Sequence, residues 1–180
     1  MNTIFFAGFT NCANQEETGP TRETITLLCE KYGVEALFPS DMWDIQCEVG
    51  EPLNDPASMV RAIFRNTIVK LASADAVVVN LNIFGGICTN DSAFLVGFAS
   101  ARQKKIIGYV NTELASNPIL QSKKAAEGST LHAQAKGTNQ TVNRLIADAI
   151  SINIQGDIED CIQYLFEDHD YRGPLTVNDL

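Results

Sequence analysis

Ala74-Asp-Ala-Val-Val-Val-Asn80-Leu-Asn-Ile-Phe-Gly-Gly-Ile-Cys-Thr-Asn90-Asp-Ser-Ala-Phe-Leu95-Val-Gly97 is the stretch whose reading decides the fold. Its apolar opening, Ala74 to Val79, is short, β-branched and bounded by polar residues, as a strand buried on both faces should be. A glycine-containing loop follows, and then a helix that Asn90 or Asp91 can cap. That helix is expected to carry Phe94, Leu95, Phe98 and Ala101 on one face. Strand, glycine loop and helix make half of an α/β unit, in which small ligands bind at the carboxyl ends of the strands. Binding is therefore expected around Asn80 to Leu95, a span that includes Phe84.

Working outward, Thr3-Ile-Phe-Phe-Ala7 reads as a first strand ending at Gly8, and residues 9 to 20 as a polar loop. Thr21 to Tyr32 reads as a helix, with Ile25, Leu28 and Cys29 at i, i+3, i+4 and Gly33 at its stop. Ala36-Leu-Phe38 is a short second strand closed by Pro39. A long loop, Ser40 to Asn54, carries the single tryptophan, Trp43; loops of that length are usually functional or disordered. Asp55-Pro56 marks a helix start, with Val60, Ile63, Phe64, Ile68 and Leu71 expected on one face up to about Ala72.

Lys105 to Val110 is a further strand. Residues 111–141 are polar, with short helices expected, and could fold over the site as a lid. Asn143 to Ile150, a strand at Ser151 to Ile154 and a helix from Asp157 to Phe166 complete the pattern. Alternating strands and helices predict an α/β, three-layer sandwich around a five-stranded parallel sheet in flavodoxin-like (Rossmann-like) order. Residues 1–166 form one domain in this reading, and residues 167–180 a tail.

At 180 residues and 45% hydrophobic, the chain can bury one substantial core. A formal net charge of -9 argues against nucleic acid, and the sparse Lys123-Lys124 with Lys136 reads as a solvated face. Cys12, Cys29, Cys47, Cys88 and Cys161 lack any C-x-x-C pairing and read as free thiols. The opening residues lack the basic start and apolar stretch of a secretory leader, and no run approaches membrane-spanning length. A cytoplasmic location without membrane attachment is expected, so the sequons at Asn90 and Asn139 are treated as chance.

Neither G-x-G-x-x-G, nor a phosphate loop, nor a G-x-S-x-G elbow is present. Gly85-Gly86 either admits a ligand to backbone amides or makes a plain turn. His132 and His169 stand apart from any metal-ligand spacing and read as surface residues. No cofactor and no metal are expected.

Ile4-Phe-Phe-Ala-Gly8, Leu28-Cys-Glu-Lys-Tyr-Gly33, Leu37-Phe-Pro-Ser-Asp41, Ile63-Phe-Arg-Asn66, Ala74 to Leu81 and Ala93-Phe-Leu-Val-Gly-Phe-Ala99 together resemble the nucleoside 2-deoxyribosyltransferases. The resemblance implies a flavodoxin-like oligomer that moves 2-deoxyribose between nucleobases, with relatives that hydrolyse the N-glycosidic bond of nucleoside monophosphates. That chemistry uses a glutamate nucleophile in a segment of the form Asp-x-Gly-Thr-x-x-Glu-x-Gly, because a carboxylate can attack the anomeric carbon through an oxocarbenium-like transition state.

Laid on that motif, the chain reads Thr89 to Gly97. Leu95 stands at the nucleophile's position and Thr89 at that of the supporting aspartate. Phe5 replaces a tyrosine that hydrogen-bonds near the nucleophile. Asp75 matches an aspartate near the nucleobase, and Gly8 and Phe84 are further substrate contacts. Asp41 either faces substrate or makes an Asx-turn. Asn143 resembles the asparagine that one subunit offers to its neighbour's sugar site, or caps its own helix.

Loss of the nucleophile from a covalent mechanism typically costs on the order of 10⁶ in rate. Asp91, four residues before Leu95, would share a helix face with it and act as substitute nucleophile or general base; alternatively it caps the helix. Three expectations follow: an enzyme with relocated chemistry, a pseudoenzyme binding a deoxynucleoside or deoxynucleotide, or a subunit completing an active paralogue. The partner is a small molecule in each, and the assembly a homo-oligomer or a hetero-oligomer with that paralogue.

Overall fold

The computed structural model describes residues 1–9, 20–41, 44–45, 55–81, 90–111, 132–134, 141–143 and 148–166. Most of the long loop, Trp43 included, the glycine loop with Phe84 and Thr89, most of the expected lid and the tail lie outside these residues.

β1 (Thr3–Ala7) leads to α1 (Arg22–Lys31), β2 (Glu35–Leu37), α2 (Pro56–Ser73) and β3 (Ala76–Asn80). There follow α3 (Asn90–Ala101), β4 (Lys105–Val110), β5 (His132–Gln134), β6 (Thr141–Asn143), β7 (Ile152–Gln155) and α4 (Ile158–Phe166). Five strands form one sheet in the order β2-β1-β3-β4-β7, every neighbouring pair parallel. This is the flavodoxin-like arrangement that the alternating pattern predicts.

Side-chain alternation along the central strands divides the core into two layers. Phe5 and Ala7, Val77 and Val79, and Ile106 and Val110 face α2 and α3, packing with Leu71, Leu95, Val96 and Ala99. Ile4 and Phe6, Ala76 and Val78, and Ile107 and Tyr109 face α1 and α4, packing with Ile25, Cys29, Ile158 and Cys161. β3 is buried at all five positions, which explains its unbroken β-branched run.

The helix ends follow their capping chemistry. Thr21 Oγ1 accepts from Thr24 N at 3.2 Å and opens α1. Asp55 accepts from Ala57 N and Ser58 N, with Pro56 at the first helical position of α2. Gly33 takes φ +66 after α1, where a side chain would be strained.

Several expectations are corrected. In α3 the buried stripe is Ser92, Leu95, Val96 and Ala99, with Phe98 packed half-buried against the same cluster; of the expected face, Leu95 and Phe98 meet the core and Phe94 and Ala101 do not. Phe94 is half exposed, and Ala101 is exposed at the helix end. In α2, Val60 and Phe64 are exposed while Thr67 and Leu71 are buried, because the first half of the helix borders a cavity rather than the sheet. The short helices expected within residues 111–141 give way, where that segment is described, to β5, which pairs antiparallel with β6. Asn143 closes β6, and residues 144–147, where its own helix would begin, lie outside the described residues. β2 and β7 are displaced by one residue from their expected spans.

Candidate functional site

A cavity of about 520 Å³ opens at the carboxyl edge of the sheet. Gly8 and Phe9, which follow β1, and Pro39 and Ser40, which follow β2, form one side. α2 supplies Val60, Ile63, Phe64, Thr67 and Ile68, and α3 supplies Asp91, Ser92, Phe94 and Leu95. The Phe64 and Phe94 rings meet at 5.8 Å between centroids, tilted by 46°, with both residues half exposed. Most of this wall is apolar, which suits a planar aromatic group.

The structure brings Gly8, Asp91 and Leu95 together on the wall. Gly8 has φ +82, and its carbonyl accepts from Asn80 Nδ2 at 3.4 Å, tying the end of β1 to the end of β3. Leu95 is only 5% exposed and shares one apolar cluster with Phe5, which is fully buried beneath it. Asp91 is exposed in the first turn of α3. Its neighbour Ser92 is buried on the same wall, a contribution that the helix periodicity of Phe94 and Leu95 did not reveal.

Other expected residues sit elsewhere. Asp75 lies at the amino end of β3, on the opposite edge of the sheet. Its Oδ2 accepts from Asn2 N at 2.6 Å and Thr3 N at 3.1 Å. Those bonds, that of Asn2 foremost, hold its carboxyl below the ordinary aspartate range. Asp41 is engaged beside the cavity: Oδ1 accepts from Asp44 N at 3.0 Å, and Asp44 Oδ2 accepts from Asp41 N at 3.2 Å. These reciprocal bonds, three residues apart, have the pattern of a capping box rather than of the expected Asx-turn. Asn143 is placed by its backbone in β6.

Arg22, Ser40 and Thr67 join the site without belonging to any catalytic motif of the sequence. Arg22 Nη1 meets Asp41 Oδ2 at 3.4 Å, and Lys70 Nζ meets Asp44 Oδ2 at 3.2 Å. Thr67 Oγ1 accepts from Ser40 N at 2.9 Å, fastening the segment after β2 to α2. Ser40 Oγ is buried and makes no hydrogen bond among the described residues. A threonine among the apolar residues of α2 and an arginine at the first position of α1 are the only local signals for these contacts.

No group of three or more His, Cys, Asp or Glu among the described residues is placed to hold a metal ion, and none of the described helices is long and apolar enough to cross a membrane. Nucleophilic groups deep in the other core layer are held neutral. Burial pushes the Cys29 thiol up to about 11 and the Tyr109 hydroxyl up to about 12, and raises Cys161 as well.

A solved structure, the CMP N-glycosidase BcmB of Clostridium botulinum, is similar to this chain at a TM-score of 0.45 and 13% identity, covering 91% of this chain and 98% of its own. A comparison with curated proteins finds no match. The family model described as nucleoside 2-deoxyribosyltransferase matches residues 4–160, from the second residue of β1 into α4. On the strength of that match, which spans the whole sheet and the wall of the cavity, the chain belongs to the nucleoside 2-deoxyribosyltransferase family.

Proposed function

We propose that the chain binds 2-deoxynucleosides or their 5′-monophosphates in this cavity without the glutamate-dependent sugar transfer of its family. One observation carries the reading: the wall position that resembles the family nucleophile is Leu95, nearly buried and backed by Phe5 in a single apolar cluster. An aliphatic side chain has no lone pair for the anomeric carbon and cannot stabilise positive charge developing on the sugar. The remaining wall still offers aromatic and apolar surface to a base, with Arg22 and Asp91 as charged neighbours.

The test pairs calorimetric titration of the four 2-deoxynucleosides and their 5′-monophosphates with a base-exchange assay using labelled free base. Binding without exchange over a long incubation is expected. Exchange at a rate well above the protein-free control would overturn the reading, as would absence of binding by all eight ligands.

A second reading rests on Asp91, whose carboxylate stands on the same wall one helical turn from Leu95. There it would serve as general base for hydrolysis of the N-glycosidic bond, water taking the place of the acceptor base. Release of free base that disappears in Asp91→Asn, with ligand binding retained, selects this reading. Equal release by both proteins eliminates it.

A further inference from the structure

We propose that Arg22 is the positioning residue of the cavity: its guanidinium fork holds the carboxyl ends of β1 and β2 at the spacing that the ligand meets. The proposal rests on the reading of this cavity as a deoxynucleoside site.

The contacts of Arg22 are directed at those two strand ends. Nε donates to the Phe9 carbonyl at 3.3 Å, beyond β1, and Nη2 donates to the Pro39 carbonyl at 3.1 Å, beyond β2. Nη1 pairs with Asp41 Oδ2 at 3.4 Å. The guanidinium carbon lies 5.3 Å from the centre of the Phe38 ring. Phe9, Pro39 and Arg22 itself all line the cavity, and the Arg22 side chain is only 18% exposed. One planar group therefore ties together two backbone segments that no shorter or non-planar cation could span with three directed donors.

The position of Arg22 in its helix points the same way. It is the first residue of α1, where a cation opposes the helix dipole at a cost of about 0.3–1 kcal/mol. The benefit must come from its carbonyl and carboxylate partners outside the helix. Those partners also need it. β2 is an edge strand of three residues, paired to β1 over Thr3–Glu35, Ile4–Ala36 and Phe5–Leu37 only, so its own ladder holds the following Pro39 and Ser40 weakly. Arg22 restrains that segment from the α1 side, and Thr67 restrains it from α2 through the Ser40 amide.

The test compares Arg22→Met, Arg22→Lys and Glu159→Gln with the unaltered chain. Glu159 joins α1 to α4 by accepting from Lys31 Nζ at 2.6 Å and Tyr32 Oη at 2.7 Å, and it does not line the cavity. It therefore controls for general loosening of α1. Two quantities are read: hydrogen exchange at the Ser40 amide, and calorimetric affinity for the four 2-deoxynucleosides and their 5′-monophosphates. Arg22→Met is expected to exchange about tenfold faster at Ser40 and to bind about tenfold more weakly, as loss of charge-assisted bonds implies. Arg22→Lys keeps the charge but loses the fork, and is expected to follow Arg22→Met in both readouts. Glu159→Gln lowers the melting temperature and moves neither.

Wild-type exchange and affinity in Arg22→Lys would overturn the proposal, as would a shift of equal size in Glu159→Gln. If Arg22→Met fails to fold, Arg22→Lys decides. If the unaltered chain binds none of the eight ligands, the deoxynucleoside reading falls, while Ser40 exchange still decides whether Arg22 holds the wall.

Discussion

Leu95 and Phe5 belong to one buried apolar cluster where the family resemblance leads one to expect a carboxylate and a tyrosine hydroxyl. A glutamate placed at position 95 would enter a nearly closed apolar setting, which disfavours its charged form and raises its pKa. The sign is definite: with a raised folded value, stability is greatest below the ordinary glutamate range and falls as pH rises from that range to the raised one. Leu95→Glu is therefore expected to cost on the order of 3 kcal/mol at pH 8, where the buried carboxyl is forced to ionise, and less at pH 4. Chemical denaturation at the two pH values measures the difference. Base exchange should remain undetected in this variant at pH 7, since the tyrosine and aspartate that the family resemblance places around the nucleophile are Phe5 and Thr89 here; a clear gain of exchange would show that the missing carboxylate alone separates this cavity from sugar transfer. Residue identity alone made legible that Leu95 stands where the family resemblance leads one to expect a carboxylate. The partners of Arg22, Asp41 and Thr67 were not legible, because hydrogen bonds across elements leave no spacing in the sequence.

Elements contribute through their ends. The amino end of β3 is joined to the start of β1 by Asp75, whose carboxylate collects two backbone amides and whose own amide donates to the Thr3 carbonyl at 3.0 Å. The lowered pKa of Asp75 means that its contribution is present above the unfolded aspartate range and is lost as pH falls through the folded value. Asp75→Asn is expected to lower the melting temperature by about 2–4 °C at pH 7, corresponding to roughly 1 kcal/mol after discounting for solvent exposure. The difference between the two proteins should shrink as pH drops below about 4, and melting curves at pH 7 and pH 3.5 check it. Strand and helix identities were legible because short unbroken apolar runs marked β1, β3 and β4 and apolar residues at helical spacing marked α1 and α2. The α3 face was misread because Phe94 is apolar yet stands beside Phe64 at the cavity mouth; periodicity cannot distinguish an apolar residue meant for the core from one meant for a cavity.

At the scale of the whole molecule, the parallel sheet sets every strand's carboxyl end on one edge, so residues as distant as Gly8, Ser40, Thr67 and Leu95 share a cavity. The opposite edge holds Asp75 and the chain's first residues. Assembly is a proposal at this scale: the family resemblance implies a homo-oligomer, and sedimentation velocity at micromolar concentration is expected to give at least twice the mass of the 180-residue chain. A monomer throughout the concentration range would count against it. The amino-acid order by itself determined the α/β class, the strand sequence, the capped helix starts and the apolar identity of residue 95, because each depends on local pattern or on a single side chain. Only the tertiary structure decided that Asp91 and Leu95 share a wall with Arg22 while Asp75 does not, since right-handed crossovers carry the chain from edge to edge of the sheet. Strand polarity, rather than nearness in sequence, selects which residues meet.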